Sequence, residues 1–343
     1  LARRTLIGAV GRRVLEAIPI LIGVVAATFL LMRVLPGDPA AFFASSPNAG
    51  KAEIEALRRQ LGLDRSLIEQ FWLYLSGLFT GQLGISIVSG QDVSRDLADR
   101  LPATIELAFV AFLMGAATAM PLGIVAALRQ GSWIDHACRV IASVGAAMPT
   151  FFFGLLLIFI FYYLLDWAPE PIGRLPAGWF PPPRITGFLL IDTVAAGDFE
   201  TFWAALRQLI LPAASMAIFA IAPISRMTRA SMLGVLSSDY VRAARAYGLP
   251  KRTILVRYAI RNALLPVITT MGMVLSTMIG ANVLVEKVFS WPGIGAYALD
   301  SLISLDYAPV QAFVLVVGVM FVALNLLIDI GYALVDPRVR VEG

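Results

Sequence analysis

The chain has 343 residues, 59% of them apolar and 15% charged, with a mean hydropathy of +0.80; one water-soluble core cannot bury that much apolar surface, so it reads as a membrane protein. A single cysteine, Cys138, excludes an internal disulfide framework, and a single histidine, His136, leaves no imidazole set from which to build a metal centre. The net charge of +4 reports orientation in such a chain before it reports nucleic acid, and no nucleic-acid partner is expected.

Apolar windows fall at residues 14–34, 104–128, 140–165, 209–225, 264–288 and 310–335, each long enough to cross a bilayer as a helix at roughly 1.5 Å rise per residue. The fourth is the shortest and holds Pro212 and Pro223, which membrane helices tolerate where neighbours satisfy the freed backbone groups. The expected fold is an all-α polytopic membrane protein of six transmembrane helices. It comprises a terminal segment over 1–13, the first span, a helical insertion over 35–103, a core over 104–335 holding the other five spans, and a terminal segment over 336–343.

Charge sets the sidedness. Between Arg226 and Arg261 eight basic residues face one acid, Asp239, whereas acids outnumber bases over 35–103. The positive-inside bias therefore places both termini and the 226–263 connection in the cytoplasm, and the 35–103 and 166–208 segments outside. The basic start followed by residues 18–32 also fits a signal peptide. No small-x-small cleavage site follows it; Arg33 and Pro36-Gly37-Asp38-Pro39 do, which favours an uncleaved first helix.

In the 35–103 insertion, Ile54, Leu57 and Leu61 mark one helix stopped by Gly62, and residues 66–79 a second, with a stripe of Leu67, Phe71, Leu75 and Leu78 suited to a membrane surface, a neighbouring helix or a partner. Six prolines over 169–183 forbid a continuous helix in the next outer connection. After it, 187–193 is apolar enough to pack, and 199–208 reads as a short helix leading into the fourth span.

In the inner connection, Asp239-Tyr240-Val241-Arg242-Ala243-Ala244-Arg245-Ala246-Tyr247-Gly248-Leu249 reads as a short helix, N-capped from Ser237 or Ser238 and stopped by Gly248, and Leu249-Pro250 opens a second helix. Tyr240, Ala244 and Tyr247 share a stripe with Ala243 beside it, while Arg242 and Arg245 point elsewhere. Alanines beside aromatics suit seating in a groove of another protein; the charge alone also suits a basic helix at an anionic leaflet. No phosphate-binding loop exists, since Gly50-Lys51 is followed by Ala52 and Ser45 stands where a glycine is needed. This chain is not expected to hydrolyse ATP alone.

Glu16, Arg33, Glu106 and Glu286 sit near span ends, where side chains reach headgroups, and snorkelling suits Glu16 and Arg33. Asn325 and Asp329, one turn apart on the last span, are expected to face protein, in a helix contact or a polar lining. Together with Asn282, Glu286, Trp291 and Pro292 they form the candidate path and gate. His136 and Cys138 read as an ordinary loop residue and an ordinary small apolar one.

Ala243-Ala244-x-x-x-Gly248 resembles the cytoplasmic loop motif of permease subunits of binding-protein-dependent ABC importers. Leu35-Pro36-Gly37-Asp38-Pro39, Leu61-Gly62-Leu63-Asp64, Gly81-Gln82-Leu83-Gly84-Ile85-Ser86, Leu101-Pro102-Ala103-Thr104-Ile105-Glu106-Leu107, Arg226-Met227-Thr228-Arg229, Phe289-Ser290-Trp291-Pro292-Gly293-Ile294-Gly295 and Asp336-Pro337-Arg338 look like its peptide and nickel branch. Residues 187–193 look closest to the dipeptide permease subunits. Two positions depart from the wider pattern: Arg242 stands where it has glutamate, and Arg261 where it has proline, with Pro266 downstream.

The resemblance implies a type I importer permease. Its partners would be a second, homologous permease subunit, two cytoplasmic ATPases that use ATP and magnesium, and an extracytoplasmic substrate-binding protein, in the lipid of a bacterial inner membrane. Residues 239–249 would dock into the ATPase. This chain would bind no cofactor and catalyse nothing alone. The cargo implied is dipeptides or oligopeptides, with nickel, glutathione and haem carried by the same architecture. A self-sufficient secondary transporter or channel is the contrasting class; it calls for inverted repeats and ion-coordinating charges at mid-membrane, and neither is found.

Overall fold

The computed structural model describes residues 2–34, 40, 51–60, 62–280 and 283–335. Asn282, the 35–39 motif and the 336–343 terminus lie outside the described residues. Among these residues the fold is helical, with one isolated antiparallel bridge between Ile85 and Asp92. The chain divides into two compact units, residues 1–102 with 292–343, and residues 103–291.

The first unit is built on α1 (Ala2–Val34) and the last helix, α14 (Tyr307–Val335), which pack together. Gly318 lets α14 approach Leu21, whose Cδ2 would lie 3.1 Å from a Cβ at that position. The insertion supplies α2 (Lys51–Gln60) and α3 (Leu67–Phe79), separated by Gly62 at φ 65°. A reciprocal capping box starts α3: Ser66 Oγ accepts from Glu69 N, and the Glu69 carboxylate from Ser66 N. The first turns of α4 (Val93–Leu128) join this unit, where Val93 and Leu97 meet Ile294 and Tyr297 of α13 (Ile294–Ile303) and Ala312.

The second unit surrounds α8 (Phe199–Leu236), which packs against α5 (Trp133–Ala147), α6 (Thr150–Leu157), α7 (Leu189–Ala195) and α11 (Arg261–Gly280). Of the apolar window of α8, 61% is buried, against 18% for α1, so α8 is the core of its unit and α1 faces outward. Small residues allow the fit. A Cβ at Gly115 or Gly123 of α4 would stand 2.6 Å from Ala220 Cβ and from Ser225 O of α8 respectively.

Among the described residues five helices are long and apolar enough to cross a membrane, and a bent pair forms one further candidate span. That pair lies over the 140–165 window, where Met148-Pro149 is a candidate for a kink. Helix α5 ends at Ala147, and after a 100° bend α6 runs on through a π-helical stretch, Ile158–Leu164. Pro149 is the cause: it disfavours helical backbone at the preceding residue, and Met148 is extended at φ −93°, ψ 131°.

The fourth window, the shortest in the sequence, lies inside the longest helix of the described residues. Residues 199–208 are its first turns, because Asp198 caps the helix through Thr201 N and both prolines are accommodated within it. The fifth window holds α11 and α12 (Val283–Val288), with residues 281–282 outside the description.

Candidate functional site

At the C-terminal end of α8 the chain turns at Ser237 and Ser238 into α9 (Asp239–Ala246). Ser238 stands at the N-cap in extended conformation, but its hydroxyl donates back to Val235 O, so no side-chain cap forms. The C-terminus is closed more firmly. Gly248 N bonds Arg245 O at 3.0 Å and Leu249 N bonds Ala244 O at 3.2 Å, with Gly248 at φ 72°, which is the paired-bond Schellman closure that favours glycine. Nothing lies within 4 Å of where a Gly248 Cβ would be, so the backbone angle alone sets the requirement. Beyond Pro250, α10 (Lys251–Thr253) passes through a π-helical stretch, Ile254–Ile260, into α11.

Two side chains hold α9 to its own chain. Val241 (0% exposed) and Ala244 (5%) are buried against Ile254, with Val235, Leu249 and Tyr258 around them. This corrects the expected stripe: Ala244 is an anchor, and the open side carries Tyr240, Ala243 and Tyr247, at spacings of three and four residues that share one helix face. Tyr247 is 86% exposed. Arg242 pairs with Asp239 at the surface, and Arg245 is exposed.

Close to that end of α8, Arg229 grips a carboxylate. Its Nε and a terminal nitrogen donate to the two oxygens of Asp135 at 2.8 and 2.7 Å; Gly131 N adds a bond at 3.0 Å and Arg139 lies at 3.6 Å. Asp135 is 1% exposed, so this bidentate pair fastens the start of α5 to α8. His136 lies in the first turn of α5, not in a loop, with Nδ1 2.9 Å from Ser132 O.

At the opposite end of α8, buried carboxylates organise residues 167–198. Glu106 accepts from Arg174 at 2.6 Å and from Leu190 N at 2.8 Å, and Arg174 also donates to Gly187 O. Glu106 therefore turns inward to a partner instead of reaching for headgroups. Asp192 accepts from Thr186 N and Oγ1, both at 2.7 Å, and from Gly187 N at 2.9 Å. Burial pushes its carboxyl upward, but these donors outweigh that and leave it below the usual carboxylate range.

The path candidates separate. Glu286 is fully buried, accepting from Thr104 Oγ1 at 2.6 Å, and Trp291, 2% exposed, donates from Nε1 to Ala103 O at 2.9 Å. Both fasten α12 and the turn after it to the start of the second unit; Pro292 is exposed. Asn325 donates to Phe321 O and borders an open cleft of about 170 Å³ with Arg13, Glu16, Ile20 and Leu326. Asp329 follows one turn along α14.

The family described as the binding-protein-dependent transport system inner membrane component matches residues 119–341, and its N-terminal membrane component matches residues 6–108. The chain belongs to this family. Three similar proteins span nearly the same length. The "Probable D,D-dipeptide transport system permease protein" of Escherichia coli K12 is 43% identical over 92% of this chain and 93% of its own. The di/tripeptide transport system permease of Pseudomonas aeruginosa UCBPP-PA14 is 40% identical over 96% and 98%, and the dipeptide transport system permease of E. coli K12 is 38% identical over 96% and 97%.

This binding-protein-dependent permease is a multi-pass membrane protein, and the relatives are named as transport system permeases. Its α9 and the Asp135/Arg229 pair both fall within the matched 119–341 stretch. That pair was not legible in the sequence, which offers no reason to single out Asp135. The available signal was Arg229 in the basic Arg226-Met227-Thr228-Arg229 run, close to the end of an apolar helix where a charge calls for a partner.

Proposed function

We propose that this permease is one of two homologous membrane subunits of an ATP-driven ABC importer for dipeptides or short oligopeptides. Two separate cytoplasmic ATPases, which bind ATP and magnesium, drive it through residues 239–249. An extracytoplasmic binding protein delivers cargo, and the subunit lies in a bacterial inner membrane with both termini cytoplasmic, as the basic 226–263 connection favours. The peptide cargo is supported by the names of relatives matching almost the full chain.

The observation that carries the coupling role is α9 itself: buried on one side through Val241 and Ala244, open on the other through Tyr240, Ala243 and Tyr247. A helix so held suits seating in a partner's groove and passing on its displacement. Ligand-driven alternation between two arrangements of the helices then moves the cargo. Asn325 and Asp329 supply the polar lining we assign to the path.

The test is Gly248→Val in the reconstituted importer. A β-branched residue is strained at φ 72°, so membrane insertion is retained while peptide uptake falls and ATP hydrolysis loses its response to loaded binding protein. Normal uptake by this variant would remove the coupling role.

A further inference from the structure

Helix α3 has three differently made sides. At about 100° per residue, Phe71, Tyr74 and Leu78 form one, Ile68, Trp72 and Phe79 fall within about 40° of one another on a second, and Glu69 and Ser76 lie together on a third. The first side packs on α1: the rings of Phe71 and Tyr74 stand 5.3 and 6.2 Å from that of Phe29, and Gln70 accepts from Arg33 Nε at 3.1 Å. The second is bare, with Ile68, Trp72 and Phe79 exposed by 72, 63 and 80%.

Phe29 and Arg33 occupy the last two turns of the apolar stretch Gly11–Val34, so these contacts pin α3 at the level where hydrocarbon meets headgroups. At the same level α1 itself leaves Leu31 and Val34 exposed by 66 and 80%, so both helices present open apolar side chains there.

We propose that α3 is an interfacial helix. Its Ile68, Trp72 and Phe79 side is seated in the acyl chains of the leaflet at the C-terminal end of α1, with Glu69 and Ser76 turned to water. Lipid is the occupant because protein, apolar and polar sides succeed one another round the helix as they must at a membrane boundary, and because the apolar side carries no charge. Trp72 suits the aromatic belt at that depth. The capping box lets this short helix hold its shape where only one side meets protein. The inference needs α1 to cross the bilayer and is independent of the cargo.

The test uses the whole importer in nanodiscs. The emission difference between wild type and Trp72→Phe isolates one indole. Most of that difference should be lost with lipids brominated near the top of the acyl chain and be unmoved by aqueous iodide. Quenching by iodide but not by brominated lipid would overturn the proposal in favour of a water-facing helix, and quenching by neither would overturn it in favour of another protein chain over α3. Ser76→Trp, in the Trp72→Phe background, should report the reverse pattern; quenching there by brominated lipid would overturn the proposed orientation.

Discussion

The two ends of α8 are held in opposite ways. Around residues 167–198 two carboxylates, Glu106 and Asp192, are buried and matched by several donors each, whereas around residues 237–261 the charges lie at the surface and α9 is held by two apolar side chains and one glycine turn. Buried, bonded carboxylates resist displacement, because breaking one pair strands a charge. With Val241 and Ala244 turned to its own chain, α9 keeps Tyr240, Ala243 and Tyr247 exposed. One end keeps its shape through buried bonds; the other, on the proposed coupling role, is the end a partner grips.

Arg174→Ala should sharpen that contrast most. It leaves Glu106 buried without its cation, at a cost of about 3 kcal/mol, seen as a lower melting temperature in detergent and faster proteolysis within 167–198. An unchanged melt would mean the bonds there are not what orders the segment.

Next come the two outcomes at Gly248. Asn tolerates the left-handed region and should retain most coupled ATPase activity, whereas Val should lose it; equal loss in both would point to a contact with the partner instead of the turn.

A smaller effect separates two carboxylates by pH. Asp192 is held low, so its contribution is full above the unfolded value near 4 and is lost as pH falls through its own lower value. Asp306, which accepts from Ser86 Oγ at 2.7 Å and from Ile87 N and Val88 N, is pushed up by burial more than those donors pull it down. Its contribution is full below about 4 and is lost as pH rises through its raised value. Asp192→Asn should therefore lower stability at pH 7 and leave the acid end little changed, while Asp306→Asn should be neutral or stabilising at pH 7. Melting curves across pH for both variants decide it. Smallest of all, Arg242→Ala removes only an ion pair with both side chains exposed and should leave the melt where it is; a clear shift would show that α9 depends on surface charge after all.

Much of the helical layout was legible because lipid-crossing segments must be long and apolar. What escaped came from tertiary contacts and backbone geometry. Periodicity put Ala244 on the same stripe as Tyr240 and Tyr247, but it could not say which arc its own chain would occupy; Ile254, beyond the glycine turn, decides that. The partners Asp135 and Arg229 are separated by 94 residues, and no local pattern joins them. Pro149 and Pro212 look alike in a hydropathy window, yet one breaks a span and the other is absorbed, because α8 is enclosed by its neighbours while the backbone before Pro149 is extended. Glu286 is a further case: its place near a span end suggested reach to headgroups, and it is instead fully buried beside Thr104.

Helix α8, at 38 residues, is about 57 Å long, nearly twice the thickness of a bilayer's hydrocarbon core. Under the proposed coupling role, that length is leverage. If one end is held and the rod stays stiff, a tilt of about 10° carries the far end sideways by about 10 Å over that length. A push of a few ångströms on α9 need not be relayed residue by residue through the membrane, because a single rigid body reaches both of its faces.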